Sequence, residues 1–225
     1  MKTIKIYFDT EFTGLRQDTT LISIGLVAEN NDIFYAEFTD YNKSLVNPWI
    51  TDNVINNLYL PKLFNGHIRE FGNNNIYYYG DKKNISDNLY SWLLSIREQY
   101  AFDGVIQFVS DVSHYDFMLL IDLLAIDALS LPDWISPYCH DINQDIAKRY
   151  QISDYEAFDK NREKLMYTKI YGEDRNRMKK IGTTIKHNAL WDANVIKILD
   201  ETFNKKTPES LNLEVFENDL SVIFR

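Results

Sequence analysis

An α/β fold is predicted for this 225-residue chain from three observations. Ile4 to Leu15 opens as an apolar strand, with Ile4, Ile6 and Phe8 on one face and Tyr7, Asp9 and Glu11 on the other. Two further apolar runs, Leu21 to Val27 and Ile33 to Phe38, are separated by Ala28-Glu29-Asn30-Asn31-Asp32, whose turn chemistry makes them an antiparallel hairpin. Gly104 to Ala128 then reads as a buried strand, a polar loop and a buried helix, a βα unit with acids at the strand's C-terminal end, where α/β sheets bind ligands. The length suits one sizeable core and a single domain over residues 1–225.

Taken in order, the first strand is the one that carries chemistry. Asp9 and Glu11 project from the same side of its end and repel each other unless a cation lies between them, or unless the strand simply ends in solvent. Gly14 lies in the turn to the hairpin. Asn47-Pro48 precedes a short helix near Asp52 to Leu58, and residues 65–80 read as loop with one short strand at Ile76 to Tyr79. Ser86 or Asp87 caps a helix through about Tyr100, with Leu89, Trp92, Leu93 and Ile96 at helical spacing. After the Gly104–Val109 strand comes Ser110-Asp111-Val112-Ser113-His114-Tyr115-Asp116 and a helix over Phe117 to Ala128, apolar almost all round. Pro132 to Tyr138 is irregular. Asp141 caps a helix from Ile142 to Tyr150, and a last long helix runs from near Asn188 to about Asn204. The tail from Leu211 to Phe224 alternates apolar and polar residues and suits an edge strand or a surface segment.

Composition narrows the function classes. Hydrophobic residues at 45% and aromatics at 14% describe a packed protein rather than a disordered one. One cysteine, Cys139, excludes an intramolecular disulfide framework and a multi-cysteine zinc site. Absence of a transmembrane-length apolar run and of a secretion signal makes a cytoplasmic protein without a membrane partner the expectation. The net charge of −9 speaks against a polyanion partner, but Lys160 to Lys186 holds nine Lys or Arg against three acids. That segment is either a local polyanion-binding surface or a solvated face.

The last helix adds a third acid. Ile198, Trp191, Val195, Leu199, Phe203 and Ile196 form its apolar arc, and Asp192 falls inside it. A carboxylate on a buried face needs a metal, a paired Arg or a neighbouring backbone to cap, and the helix dipole offers only about 0.3 to 1 kcal/mol. Metal binding is the stronger reading. His187, five residues earlier, could take a proton from a metal-bound water. Cys139-His140 has nothing to orient it as a nucleophile.

Asp9-Thr10-Glu11 with Thr13-Gly14-Leu15, then Tyr115-Asp116, then His187 with Asp192, resemble the three ordered motifs of 3′-to-5′ exonucleases with four acidic residues, histidine subclass. The short bacterial polyadenylate-specific exoribonucleases (RNase AS type) are the nearest kind within them. The resemblance spans residues 9–192. It implies a ribonuclease H-like mixed sheet with helices on both faces. It also implies two Mg²⁺ or Mn²⁺ ions held by Asp9, Glu11, Asp116 and Asp192, with His187 as the base, and release of nucleoside 5′-monophosphates from single-stranded RNA 3′ ends. Thr10, Phe12, Thr13, Gly14 and Leu15 would bind the substrate's end, Leu15 as a wedge. The basic segment would follow the phosphates, with Tyr167, Tyr171 or Phe12 stacking on bases. Many relatives have an Asn a few residues before the second-motif acid; here Ser110, Asp111 and Ser113 stand there, so Asp111 competes with Asp116 for the metal, and Asp116 is preferred. A DNA exonuclease of the same fold and a catalytically silent nucleic-acid-binding module are the alternatives, and a homodimer enters by resemblance alone.

Overall fold

The computed structural model describes residues 3–60, 69–71, 74–100, 103–125, 127–171 and 186–204. Its frame is one seven-stranded mixed sheet. The strands are β1 (Thr3–Phe12), β2 (Leu21–Ala28), β3 (Ile33–Phe38), β4 (Arg69–Phe71), β5 (Asn75–Gly80), β6 (Val105–Ser110) and β7 (His140–Asp141). Their order is β4-β5-β3-β2-β1-β6-β7. β1 pairs antiparallel with β2 and parallel with β6, so the acid-bearing strand is central and its apolar residues have partners on both sides. The helices are α1 (Pro48–Asn53), α2 (Lys82–Gln99), α3 (Ser113–Leu124), α4 (Ile142–Tyr150), α5 (Asp154–Phe158), α6 (Arg162–Tyr171) and α7 (Ala189–Asn204).

The two-residue period of β1 sorts the core into two layers. Ile4, Ile6 and Phe8 are fully buried against Leu89, Trp92, Leu93 and Ile96 of α2 and Phe117 and Leu120 of α3. Each such side chain is worth roughly 1.5–3 kcal/mol of burial. Tyr7 faces the opposite way, with Val109, Ile142 and Ile146 and with Trp191, Val195 and Leu199 of α7. Helices therefore cover both faces, and Asp9 and Glu11 continue the Tyr7 side toward α7. This is the α/β arrangement expected from the sequence, and a ribonuclease H-like layout is compatible with its strand order.

Several boundaries differ from the sequence expectations. α1 starts at Pro48 rather than Asp52, because the Asn47 side chain accepts the Ile50 N–H at 2.9 Å and proline suits the first turn. α2 starts a turn before Ser86, capped by Asp81. α3 spans Ser113–Leu124 instead of Phe117–Ala128: its first N–H is met from outside, by Asp141 Oδ2 at 3.0 Å from Ser113 N. Nor is it buried all round, as its apolar composition suggested, since Met118 is exposed. α4 and its Asp141 cap lie where expected. The tail from Leu211 falls outside the described residues.

Two local features aim the end of β1. The β1–β2 register shifts between Glu11 and Phe12, and Ile22, the residue left over in β2, is fully buried with Ile50, Val54 and Leu58, which seats α1 beside the strand end. Gly25 lies directly opposite Asp9 in the ladder. A Cβ there would sit 2.4 Å from Leu190 N and 2.5 Å from the Ala189 carbonyl carbon, so only glycine lets the first turn of α7 rest on the sheet.

Candidate active site

That close approach brings Asp192 to Asp9. Oxygens of Asp9, Glu11 and Asp192 lie within 4.8 Å of one another at the floor of a cleft of about 530 Å³. Asp192 sits in the first turn of α7, where its Oδ2 accepts the His187 N–H at 2.9 Å. Asn188 caps the helix: its Oδ1 accepts the N–H groups of Leu190 and Trp191 at 3.1 and 3.3 Å. The Asn188 amide donates to Asn57 O at 3.0 Å, and Asn57 Nδ2 donates back to Lys186 O at 3.0 Å. His187 is thus held between two hydrogen bonds to one residue of the wall opposite.

Asp116 joins from α3. Its Oδ1 accepts both the backbone N–H of Thr10, at 3.0 Å, and the Thr10 hydroxyl, at 2.5 Å. Thr10 is buried and its side chain holds Asp116, while the residue still lines the cleft, where the resemblance implied that its backbone approaches the substrate's end. Asp111 also lines the cleft, but both its oxygens are taken by Arg162, from Nε at 2.7 Å and Nη2 at 2.8 Å.

The electrostatics follow from crowding. Burial, then the charges of Asp116, Asp192 and Glu11, push the Asp9 carboxyl well above the ordinary carboxylate range. Glu11 is raised by burial and then by Asp192 and Asp116. Burial lifts Asp116 to about 7 against the Thr10 hydrogen bonds, and burial together with Glu163 lifts Asp192 to about 8. Among the described residues no Lys or Arg pairs with these four acids, whereas Arg162 pairs with the neighbouring Asp111 at 2.7 Å. A set of convergent, cation-deficient carboxylate oxygens is the donor chemistry of a hard divalent ion such as Mg²⁺ or Mn²⁺. His187 is lowered, by burial and then by Lys186, so its imidazole is neutral at pH 7 and able to accept a proton.

The rim is apolar. Among the described residues nine large hydrophobic side chains are exposed, and four of them, Leu15, Trp49, Tyr115 and Phe158, line this one cleft. Trp49 stands edge-on to His187 with ring centroids 5.0 Å apart. Phe12 and Gly14 also line the cleft, and Gly14 holds φ +142, which a side chain would strain. Thr13 does not reach it: its buried hydroxyl accepts the Thr20 N–H at 2.9 Å and closes the β1–β2 connection. Tyr167 is a core residue packed with Trp191 and Leu199, so it has no face for stacking, and the Tyr171 side chain falls outside the described residues. Cys139 is no nucleophile, since burial pushes its thiol up and it donates to Phe108 O at 3.4 Å.

No protein-family model matches the chain, and no curated protein is significantly similar to it. The geometry therefore carries the functional reading. A second acid cluster, His140, Asp145 and Asp200, is satisfied from within: Asp200 takes the Lys5 ammonium at 2.7 Å and the Tyr7 hydroxyl at 2.8 Å, and His140 meets Asp145 at 2.6 Å. Among the described residues no helix is long and apolar enough to cross a membrane.

Sequence reasoning missed Trp49, Asn57, Gly25 and Arg162. Only Gly25 left a signal, as an isolated glycine inside an apolar strand run, which marks a close backbone approach.

Proposed function

We propose that the protein is a metal-dependent 3′-to-5′ exonuclease that releases nucleoside 5′-monophosphates from single-stranded RNA. The observation that carries this reading is the meeting of Asp9, Glu11 and Asp192 within 4.8 Å, with no Lys or Arg paired to them among the described residues, beside a neutral His187. Asp9, Glu11, Asp116 and Asp192 would hold two divalent ions. Bound there, such ions would neutralise the phosphate and lower the pKa of water enough to make it a nucleophile at neutral pH.

The chain's own residues do the rest. His187 accepts the proton of the attacking water, and the water oxygen bonds to phosphorus as the bond to the 3′ oxygen of the preceding nucleotide breaks. That oxygen leaves as the new 3′ hydroxyl, and the released nucleotide keeps the phosphate on its 5′ carbon. Trp49, Tyr115 and Phe158 offer π faces, and Leu15 an apolar edge, to bases that must be unstacked, which favours single strands over duplex. Lys160 and Lys186 line the same cleft and suit flanking phosphates, so the acidic chain need not repel a polyanion locally.

A time course with matched 5′-labelled RNA and DNA oligonucleotides in Mg²⁺, Mn²⁺ or EDTA tests the reading. A metal-dependent ladder shortening from the 3′ end of RNA is expected. A ladder on DNA alone would make it a DNA exonuclease, and no cleavage by folded protein with metal would leave a binding module.

A further inference from the structure

Arg162 is the most heavily committed side chain of the cleft. Besides its two bonds to Asp111, it donates from Nη2 to Asn143 Oδ1 at 2.6 Å and from Nη1 to the carbonyls of Ala157 and Lys160 at 2.6 and 2.8 Å. Every N–H direction of the guanidinium is used, so it has none left for a phosphate. These bonds join three elements: the end of β6 through Asp111, the first turn of α4 through Asn143, and the α5–α6 connection. Both members of the ion pair are largely buried, with side chains 14% and 21% exposed, where a planar bidentate contact is geometrically fixed.

Asp111 would otherwise be a fifth carboxylate free to bind cations in the cleft. Its two oxygens point into a fork that occupies both of them, whereas Asp116 is held by Thr10 through Oδ1 and its Oδ2 makes a long 3.4 Å contact with Ser110. We infer that Arg162 is a positioning residue that withholds Asp111 from the metal set, fixing the number and the place of the cations the cleft accepts. This rests on the metal-dependent reading above. The device has a chemical rationale: a two-ion site fails if an extra anion draws a cation away from the reacting phosphate or binds it too tightly for turnover.

The test is a Mn²⁺ titration of the full chain, followed by the electron paramagnetic resonance signal of free Mn²⁺, with no substrate present. Arg162→Gln is expected to bind Mn²⁺ roughly tenfold tighter or to take up an additional ion, because one unpaired carboxylate is added to the cluster. Asp111→Asn is expected to keep the affinity within about twofold of the natural chain, since Asp111 is not a ligand. The double variant should return to that value, a rescue that a purely structural role for Arg162 would not give. Unchanged or weaker binding by Arg162→Gln, or a roughly tenfold loss in Asp111→Asn, overturns the inference. If Arg162→Gln does not fold, Asp111→Asn decides by the same criterion. Failure of the natural chain to bind Mn²⁺ would instead sink the metal reading itself, so the two failures are distinct.

Discussion

At the scale of single residues, the cleft sets charge against solvation. Asp192 holds its proton to about 8 because the fold surrounds it and Glu163 is close, against one N–H, from His187, among the described residues. Replacing it by Asn removes a buried charge without changing shape. Asp192→Asn is expected to abolish nuclease activity and yet, at pH 8 and without metal, to raise the melting temperature by about 2–4 °C, the shift of roughly 1 kcal/mol in a chain of this size. A lower melting temperature in a differential scanning experiment would contradict the cation-deficient description. In the proposed mechanism His187 acts on the water and not on the metal. His187→Ala should therefore lower kcat by roughly 10²–10⁴ while leaving Mn²⁺ affinity unchanged. The burial of Asp192 and the place of His187 just before α7 were legible in the sequence, because an acid inside an apolar arc and a His at a helix start are local patterns. The task of Thr10 was not legible: it holds a carboxylate 106 positions away, and nothing in Asp-Thr-Glu distinguishes a substrate contact from a buried prop.

At the scale of elements, the site depends on how closely α7 lies on the sheet. Gly25→Ala places a methyl within 2.5 Å of backbone in α7, and neither partner is a flexible side chain. The helix must lift, at a cost of about 1–3 kcal/mol. The expected outcome is a chain that still folds but loses most activity and Mn²⁺ affinity, measured by chemical denaturation alongside the metal titration. Wild-type stability and affinity would show that the contact does not set the site. The longer strands and α4 behind its cap Asp141 were readable from sequence, whereas α1 and α2 start earlier than read, at the caps Asn47 and Asp81. α3 was misplaced because its first N–H is met by Asp141, 28 residues away, and no local pattern encodes a cap supplied by another element. The wall formed by α1 went unread for a related reason: Trp49 and Asn57 gain meaning only once Ile22 and its neighbours have seated that segment beside β1.

At the scale of the whole molecule, the carboxylate cluster links stability to pH and to cations. Asp116 and Asp192 titrate near 7 and 8 in the fold against an ordinary 3.8. Between about pH 4 and pH 8 the folded chain thus binds more protons than the unfolded one, and stability falls as pH rises through that window. A divalent ion held by the deprotonated set, as proposed, would oppose the loss by mass action. The metal-free melting temperature should therefore drop from pH 5 to pH 8, and Mg²⁺ should raise it more at pH 8 than at pH 5. A Mg²⁺ effect equal at both pH values would disconnect the ion from these acids. The alternation along β1, the hairpin and the βα unit were enough to read the α/β class, since sheet polarity follows from local connections. The pairing of β3 with β5 and the seating of β7 beside β6 depend on packing between distant segments and had no local trace.

The most direct measurement is chromatography of what the full chain releases from a short single-stranded RNA in Mg²⁺, run beside Asp192→Asn and an EDTA control. The account predicts nucleoside 5′-monophosphates from the natural chain alone. No mononucleotide from the folded natural chain, or equal release by Asp192→Asn, would contradict it.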